Sequence, residues 1–474
     1  MTDTALPSAS PLPPPGPPAV LPAAGLLRVL GTAFGVAIAV GATIGGGILR
    51  TPGEVAAALP HPGWYLAAWA VGGIVILLGT NVYSELGAAL PHAGGPYVYA
   101  RRAFGDGLAF FVGYADWLNW ALGPVLLSLI VGEYIGGLIP PLGGHPLAVA
   151  FAVVGGLAAL QWIGVRSGGR TQEITTLLKG LALLGLVVAA FALPHADAPV
   201  PIGAPAPPVL PHGLALLVAF GVAMQGVIFT YDSYYAVVYC GEEIRDPGRD
   251  IPRTMFRGVW LIIGIYLLVN LAYLSVVPVG RMAGDPFVGA TMATALFGPR
   301  GDTIIRLVMV VSILGTINAE LMAVPRILLA MSRDGLFPRA AARVNAGGTP
   351  TVALGLSLLV IAGFLLTGSF GAVLPIAAIL GVVMYVCAFA AFFVLRRREP
   401  GLARPYRARG YPWLPALALL STLALAAALA VGDPRSALLL LAVLVASWPA
   451  SRVVRRLMRR GRPDLLPPDS DRGT

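Results

Sequence analysis

A chain of 474 residues that is 57% hydrophobic and 11% charged, with a mean hydropathy of +0.81, cannot cover a globule with polar surface. A soluble chain usually carries about a quarter charged residues, so lipid must form part of this one's solvent. The net charge of +10 lies in short arginine clusters between apolar stretches, a topological signal rather than a nucleic-acid surface, and two cysteines, Cys240 and Cys387, imply no disulfide framework.

Residues 1–25 are proline-rich and lack a basic n-region, so they read as a disordered cytoplasmic tail and not as a signal peptide. A membrane-crossing helix needs about 20 apolar residues. Twelve segments qualify, roughly 29–49, 64–88, 107–135, 146–165, 172–193, 214–240, 257–278, 303–330, 350–368, 372–395, 413–431 and 436–453. The polar stretch 461–474 reads as a second cytoplasmic tail. Loops after even-numbered spans hold the arginines: Arg101 and Arg102; Arg166 and Arg170; Arg245, Arg249, Arg253 and Arg257; Arg333, Arg339 and Arg343; Arg396 to Arg398. Loops after odd spans are nearly free of them. That alternation predicts an even number of spans with both termini cytoplasmic. Of the 32 basic residues only Lys179 is lysine. With the high alanine, glycine and proline content, this matches a GC-rich bacterial genome and hence a bacterial inner membrane.

Two spans invite interruption. In span 1, Gly45-Gly46-Gly47 is the weakest helix-former available short of proline. In span 6, Phe229-Thr230-Tyr231-Asp232-Ser233 sets a carboxylate and hydroxyls at mid-membrane, where a buried acid is costly and usually functional. Each feature has a bland alternative: close helix packing for the glycines, an internally satisfied acid for Asp232. Their matched places, five spans apart, predict discontinuous helices in two inverted repeats. An unwound turn frees N–H groups for a carboxylate and C=O groups for an ammonium. A zwitterion needs both within about one turn.

These residues resemble the amino acid–polyamine–organocation (APC) superfamily, nearest to its bacterial and L-type amino acid transporters, over roughly residues 28–455. The resemblance rests on five ordered motifs. They are Gly45-Gly46-Gly47 with Ile48-Leu49-Arg50-Thr51-Pro52; Tyr83-Ser84-Glu85 through Pro96-Tyr97; Phe229 to Asp232 with Gly241-Glu242-Glu243; Asn318 and Arg326 with Ser332-Arg333-Asp334; and Arg396 to Tyr411-Pro412. It implies an all-α membrane protein of 12 transmembrane helices with LeuT-like five-plus-five inverted repeats. The first repeat would fill 26–200, the second 201–397, and two further helices 398–460.

Residue roles carried over by the resemblance place the substrate carboxylate on the amides of Gly46 and Gly47. The ammonium falls to the carbonyls of Thr43, Ile44, Phe229, Thr230 and Asp232. Phe229 would be a thin gate, or ordinary packing. Gly46, Asp232 and Tyr234 depart from the common pattern and blur the side-chain pocket. Lys179 resembles the ammonium that replaces a sodium ion in sodium-independent members, where proton exchange at a buried amine offers a drive. The alternative is a lysine snorkelling to the nearby membrane face. Asp116, Asn119, Tyr234 and Asn318 are candidate pathway residues, with Glu320 able to line the path or pair internally, and Glu85 and Arg326 invite an inner gate.

The expected activity is sodium-independent secondary transport of amino acids, by proton symport or exchange. Polyamines or other small organic cations are the alternative that Asp232 leaves open. No metalloprotease, hydrolase or Walker motif appears, so no enzyme, metal or cofactor is expected. Membrane lipid, protons and the small-molecule substrate are the expected partners; no nucleic acid or partner motif is indicated.

Overall fold

The computed structural model describes residues 25–194, 209–367 and 370–432, with scattered helical positions between 438 and 456. The N-terminal tail to residue 24, the tail 461–474 and most of the twelfth expected span lie outside the described residues. Fifteen α-helices follow in order: α1 (Thr32–Thr43), α2 (Gly47–Ala58), α3 (Pro62–Ala89), α4 (Pro96–Phe104), α5 (Asp106–Leu138), α6 (Pro146–Ile163), α7 (Val165–Ala192), α8 (Leu214–Thr230), α9 (Pro247–Val276), α10 (Val279–Met282), α11 (Val288–Phe297), α12 (Gly301–Arg333), α13 (Thr351–Thr367), α14 (Phe370–Arg398) and α15 (Trp413–Gly432). The described residues contain no strand, only two isolated bridges, Leu30 with Ile244 and Ala93 with Cys240. Seven helices are long and apolar enough to cross a membrane, eight if α1 and α2 form one bent span, and α8, α13 and α15 are shorter apolar helices. The chain is a multi-pass membrane protein.

Proline fixes several helix starts. Pro62, Pro96, Pro146 and Pro247 stand in the first turn, where φ near −65° is already helical and no N–H is lost. The helices overrun the apolar limits seen in sequence. At 33 residues α5 is about 50 Å long, well past a hydrocarbon core of about 30 Å. Arg166 and Arg170, expected in a loop, sit in α7, and Arg249, Arg253 and Arg257 sit in α9. A polar terminus satisfies its backbone as well by continuing the helix into water as by ending it.

Outer faces are apolar. On α7, Ile174, Leu177, Leu181, Leu184, Val188 and Phe191 are exposed at helical spacing, whereas Gln172, Lys179, Leu183, Leu186 and Ala190 are buried. That contrast is a lipid face set against a bundle face. α5 and α12 pack along each other at the centre, with α1 and α9 in contact and α3 beside α9.

At one end, charged side chains join the segments between helices. Arg101 pairs with Asp334 at 2.7 Å and Arg333 with Glu242 at 2.7 Å. Arg102 pairs with Glu399 at 2.8 Å. Glu85 takes Arg396 and, at 3.0 Å, Arg404. Arg326 and Glu243, both fully buried, form a two-pronged pair at 2.8 and 3.2 Å. Glu85 and Arg326 thus belong to two separate ion pairs and not to one shared pair.

Candidate functional site

The first expected break is present. α1 ends at Thr43, α2 starts at Gly47, and the two helices differ in direction by 46°. Between them Ile44, Gly45 and Gly46 carry little regular bonding, with Gly45 N–H donating to the Thr43 carbonyl at 2.9 Å. The first amides of α2, including Gly47, have no carbonyl one turn back within their own helix. Within α2, Pro52 cannot donate to the Ile48 carbonyl, and the Tyr273 hydroxyl donates there instead at 3.2 Å.

The second break is sharper than a kink. Span 6 is apolar to residue 240 and invites interruption at Phe229–Ser233; α8 stops at Thr230, and turns and short 3₁₀ segments continue to Glu243. Ser233 takes φ 69°, a left-handed conformation that ends a helix, and the Asp232 and Ser233 side chains compete for local hydrogen bonds.

The two breaks abut. A methyl group at Gly47 would lie 3.0 Å from Thr230 Oγ1. Thr230 Oγ1 donates to Thr51 Oγ1 of α2 at 2.8 Å. The Tyr266 hydroxyl of α9 lies 3.0 Å from both the Thr43 and the Thr230 carbonyls. With one proton it donates to one of them at a time. Its ring packs on Tyr231 at 4.8 Å and edge-on to Trp69 at 5.9 Å. Tyr266 was missed in the sequence, where it looks like any aromatic in an apolar helix; only the freed carbonyls give it a purpose.

Lys179 is fully buried, and its ammonium donates to the Gly41 carbonyl at 2.8 Å, the Ile44 carbonyl at 2.7 Å and Thr316 Oγ1 at 3.3 Å. All three protons thus point into the bundle, not toward a membrane face. Ser312 Oγ also donates to the Ile44 carbonyl, at 3.0 Å, and Thr316 Oγ1 to the Gly41 carbonyl, at 3.1 Å. Span 1 is therefore held open by α7 and α12 together.

The remaining candidates divide. Asp232 accepts from the Tyr385 hydroxyl, and Asp116, fully buried, accepts from Tyr239 at 2.8 and 3.0 Å. Trp120 Nε1 donates to Tyr239 in turn, at 2.7 Å. Tyr234 lies in an aromatic group with Tyr83, Tyr235 and Tyr385, in which Tyr83 stacks on Tyr235 at 4.6 Å. Asn119 of α5 is half-buried and faces Gly381 of α14. Asn318 is part of a buried amide chain: Gln161 donates to it at 2.7 Å, and it donates to Gln172 at 2.8 Å. Phe229 stands apart, 54% exposed. Among the described residues no group of His, Cys, Asp and Glu is arranged to hold a metal.

The family described as "Amino acid permease" matches residues 30–447. A serine/threonine exchanger, SteT, of Bacillus subtilis (strain 168) is 28% identical over 404 residues, covering 83% of this chain and 89% of that one. The Asc-type amino acid transporter 1 of Mus musculus is 29% identical over 397 residues, covering 81% and 73%. The large neutral amino acids transporter small subunit 2 of Mus musculus is 27% identical over 402 residues, covering 81% and 73%.

Proposed function

The chain belongs to the amino acid permease family, and from that premise we propose that it is a sodium-independent secondary transporter of small neutral amino acids, acting by exchange or proton symport. The names of its relatives favour amino acids over the polyamines or organic cations that Asp232 alone leaves open. We place it in a bacterial inner membrane with both termini cytoplasmic, twelve spans and two inverted repeats of five, the breaks of α1/α2 and α8 marking equivalent places in each. It is a carrier, not an enzyme.

The observation that carries the reading is the meeting of two interrupted helices at one point. In this reading the amides of Gly46 and Gly47 receive the substrate carboxylate, aided by the positive end of α2. The ammonium falls to the carbonyls around it. Ile44 already accepts from Lys179 and Ser312, which fills both its lone pairs. Thr43 accepts from Gly45 N–H and shares the Tyr266 hydroxyl with Thr230, so each of the two gains capacity for a further donor when that hydroxyl turns to the other, and the Phe229 and Asp232 carbonyls follow in the same turn although the Phe229 side chain points away. Lys179 takes the place a sodium ion would fill, tying the break of α1 to α7. Proton movement would then accompany the cycle through the buried acids and Lys179, with lipid covering the α7 and α8 faces.

Reconstitution into liposomes with a panel of labelled amino acids tests this. The runs compare a pH gradient with none, and internal amino acid with none. Uptake independent of sodium, and stimulated either by the gradient or by internal amino acid, is expected. No uptake of any amino acid would sink the reading.

A further inference from the structure

Three buried carboxyl groups lie in electrostatic range of one another in sequence, Asp116 with Asp232 and Asp232 with Glu320, and one of them lacks what the others have. Asp116 is served by Tyr239, and Asp232 by Tyr385 and, at 3.4 Å, Ser233. Glu320 is 92% buried by its 8% exposure, and its Oε2 has no hydrogen-bond partner. It interacts electrostatically with Asp232 and Lys179, yet the Lys179 protons are committed to Gly41, Ile44 and Thr316.

The position of Glu320 is built. On α12 it follows Met309, Ile313 and Thr316 along one face at helical spacing. Those three are the residues that a methyl group at Gly46 or Gly45 would approach, at 3.3, 3.9 and 3.4 Å. Glu320 continues that face one turn beyond the break. Opposite it, α5 presents Gly123, where a methyl group would come within 2.5 Å of both carboxyl oxygens. Glycine there leaves the carboxyl in this seat, and a Cβ would push it aside. An unpaired acceptor in such a seat is costly unless an arriving group supplies a donor.

We propose that Glu320 is a specificity-determining residue, which receives a hydrogen-bond donor from the side chain of the transported amino acid while the breaks hold its backbone groups. The donor chemistry is a hydroxyl or an ammonium, two to three bonds from the α-carbon. This rests on the transport reading above and adds to it which side chains are accepted.

Uptake by the full chain in proteoliposomes separates the sources. L-threonine and L-valine differ by a hydroxyl in place of a methyl; L-2,4-diaminobutyrate and L-norvaline differ by an ammonium in place of a methyl. In the wild type, kcat/KM for at least one donor-bearing member exceeds that of its isostere by about tenfold or more. Glu320→Leu brings that ratio to within about threefold of one. Glu320→Gln keeps a threonine preference, because its amide oxygen still accepts, and loses a diaminobutyrate preference. Gly123→Ala, which displaces the carboxyl without removing it, lowers the same ratio and serves if Glu320→Leu fails to fold. Wild-type ratios near one for both pairs would overturn the assignment. So would a ratio unchanged in Glu320→Leu with only the pH-gradient response lost, which would make Glu320 a proton carrier instead. Uptake of none of these while other amino acids enter refutes this inference alone; uptake of no amino acid refutes the transport reading beneath it.

Discussion

Replacing Lys179 by methionine removes an ammonium while keeping a side chain of similar length, and the structure sets the size of the effect. Two short bonds are lost, to Gly41 and Ile44 at 2.8 and 2.7 Å. Hydrogen bonds from a charged donor contribute about 1.5–3 kcal/mol each. Thr316 and Ser312 remain on the same two carbonyls, so neither is left bare and the full sum does not apply. A loss of about 2–3 kcal/mol in holding the break open follows. If substrate binds only the open break, at 1.4 kcal/mol per tenfold its affinity falls about 30- to 150-fold. Equilibrium binding of the best labelled amino acid from the liposome panel reads this directly, with thermal unfolding in detergent as the check on folding. A dissociation constant within threefold of wild type, in a folded variant, would refute the claim that Lys179 shapes the binding break.

Tyr266→Phe keeps the ring packed against Trp69 and Tyr231 and removes one shared proton, so transport efficiency should fall about 5- to 100-fold with little change in unfolding temperature; unchanged kcat/KM would show the hydroxyl idle. Gly46→Leu should abolish uptake in a protein that still inserts and folds, because the nearest side-chain atoms are 3.3 Å from the added Cβ and a larger group must enter the break; normal uptake would remove Gly46 from the site. Glu243→Gln leaves the Arg326 guanidinium buried without its counter-charge and should cost about 3–5 kcal/mol of stability, seen as a lower unfolding temperature. Adding Arg326→Met to it should restore much of that loss, and failure to do so would mean the pair is not an energetic unit.

Much of this was legible because membrane physics restricts the options. Long apolar runs marked most helices, and Gly45-Gly46-Gly47 marked a real break, since three adjacent residues of low helix propensity give way where side chains of α7, α9 and α12 can serve the freed backbone. Span 6 was harder. Its apolarity continues through Val237 and Val238, so hydropathy carries it to residue 240, while the helix ends at Thr230 and the chain turns through Ser233 in a left-handed φ that no periodicity reveals. Lys179 stood out as the only lysine, but its three acceptors, on α1, in the break after it and on α12, depend on tertiary packing. Glu85 and Arg326 illustrate the reverse case. Both are charges that invite an inner gate in sequence, but their partners, Glu243 for Arg326 and the arginines of 396–404 for Glu85, are distant in the chain and set only by the fold.

The partners missed in sequence have one property in common. Tyr266, Tyr273, Ser312 and Thr316 each donate to a carbonyl in or beside the α1/α2 break, and each comes from α9 or α12. A broken helix in hydrocarbon is stable only if other helices supply the hydrogen bonds it has lost. Those bonds are local to one arrangement of α9 and α12 against α1. A substrate that offers its own ammonium to the Thr43 and Thr230 carbonyls competes with the Tyr266 hydroxyl for them. Binding then replaces an internal donor and weakens one contact that fixes α9 to both breaks. Under the transport reading proposed above, occupancy would then couple to movement without a separate transmitting element, because Tyr266, which serves the empty backbone at Thr43 and Thr230, is the donor that the substrate relieves.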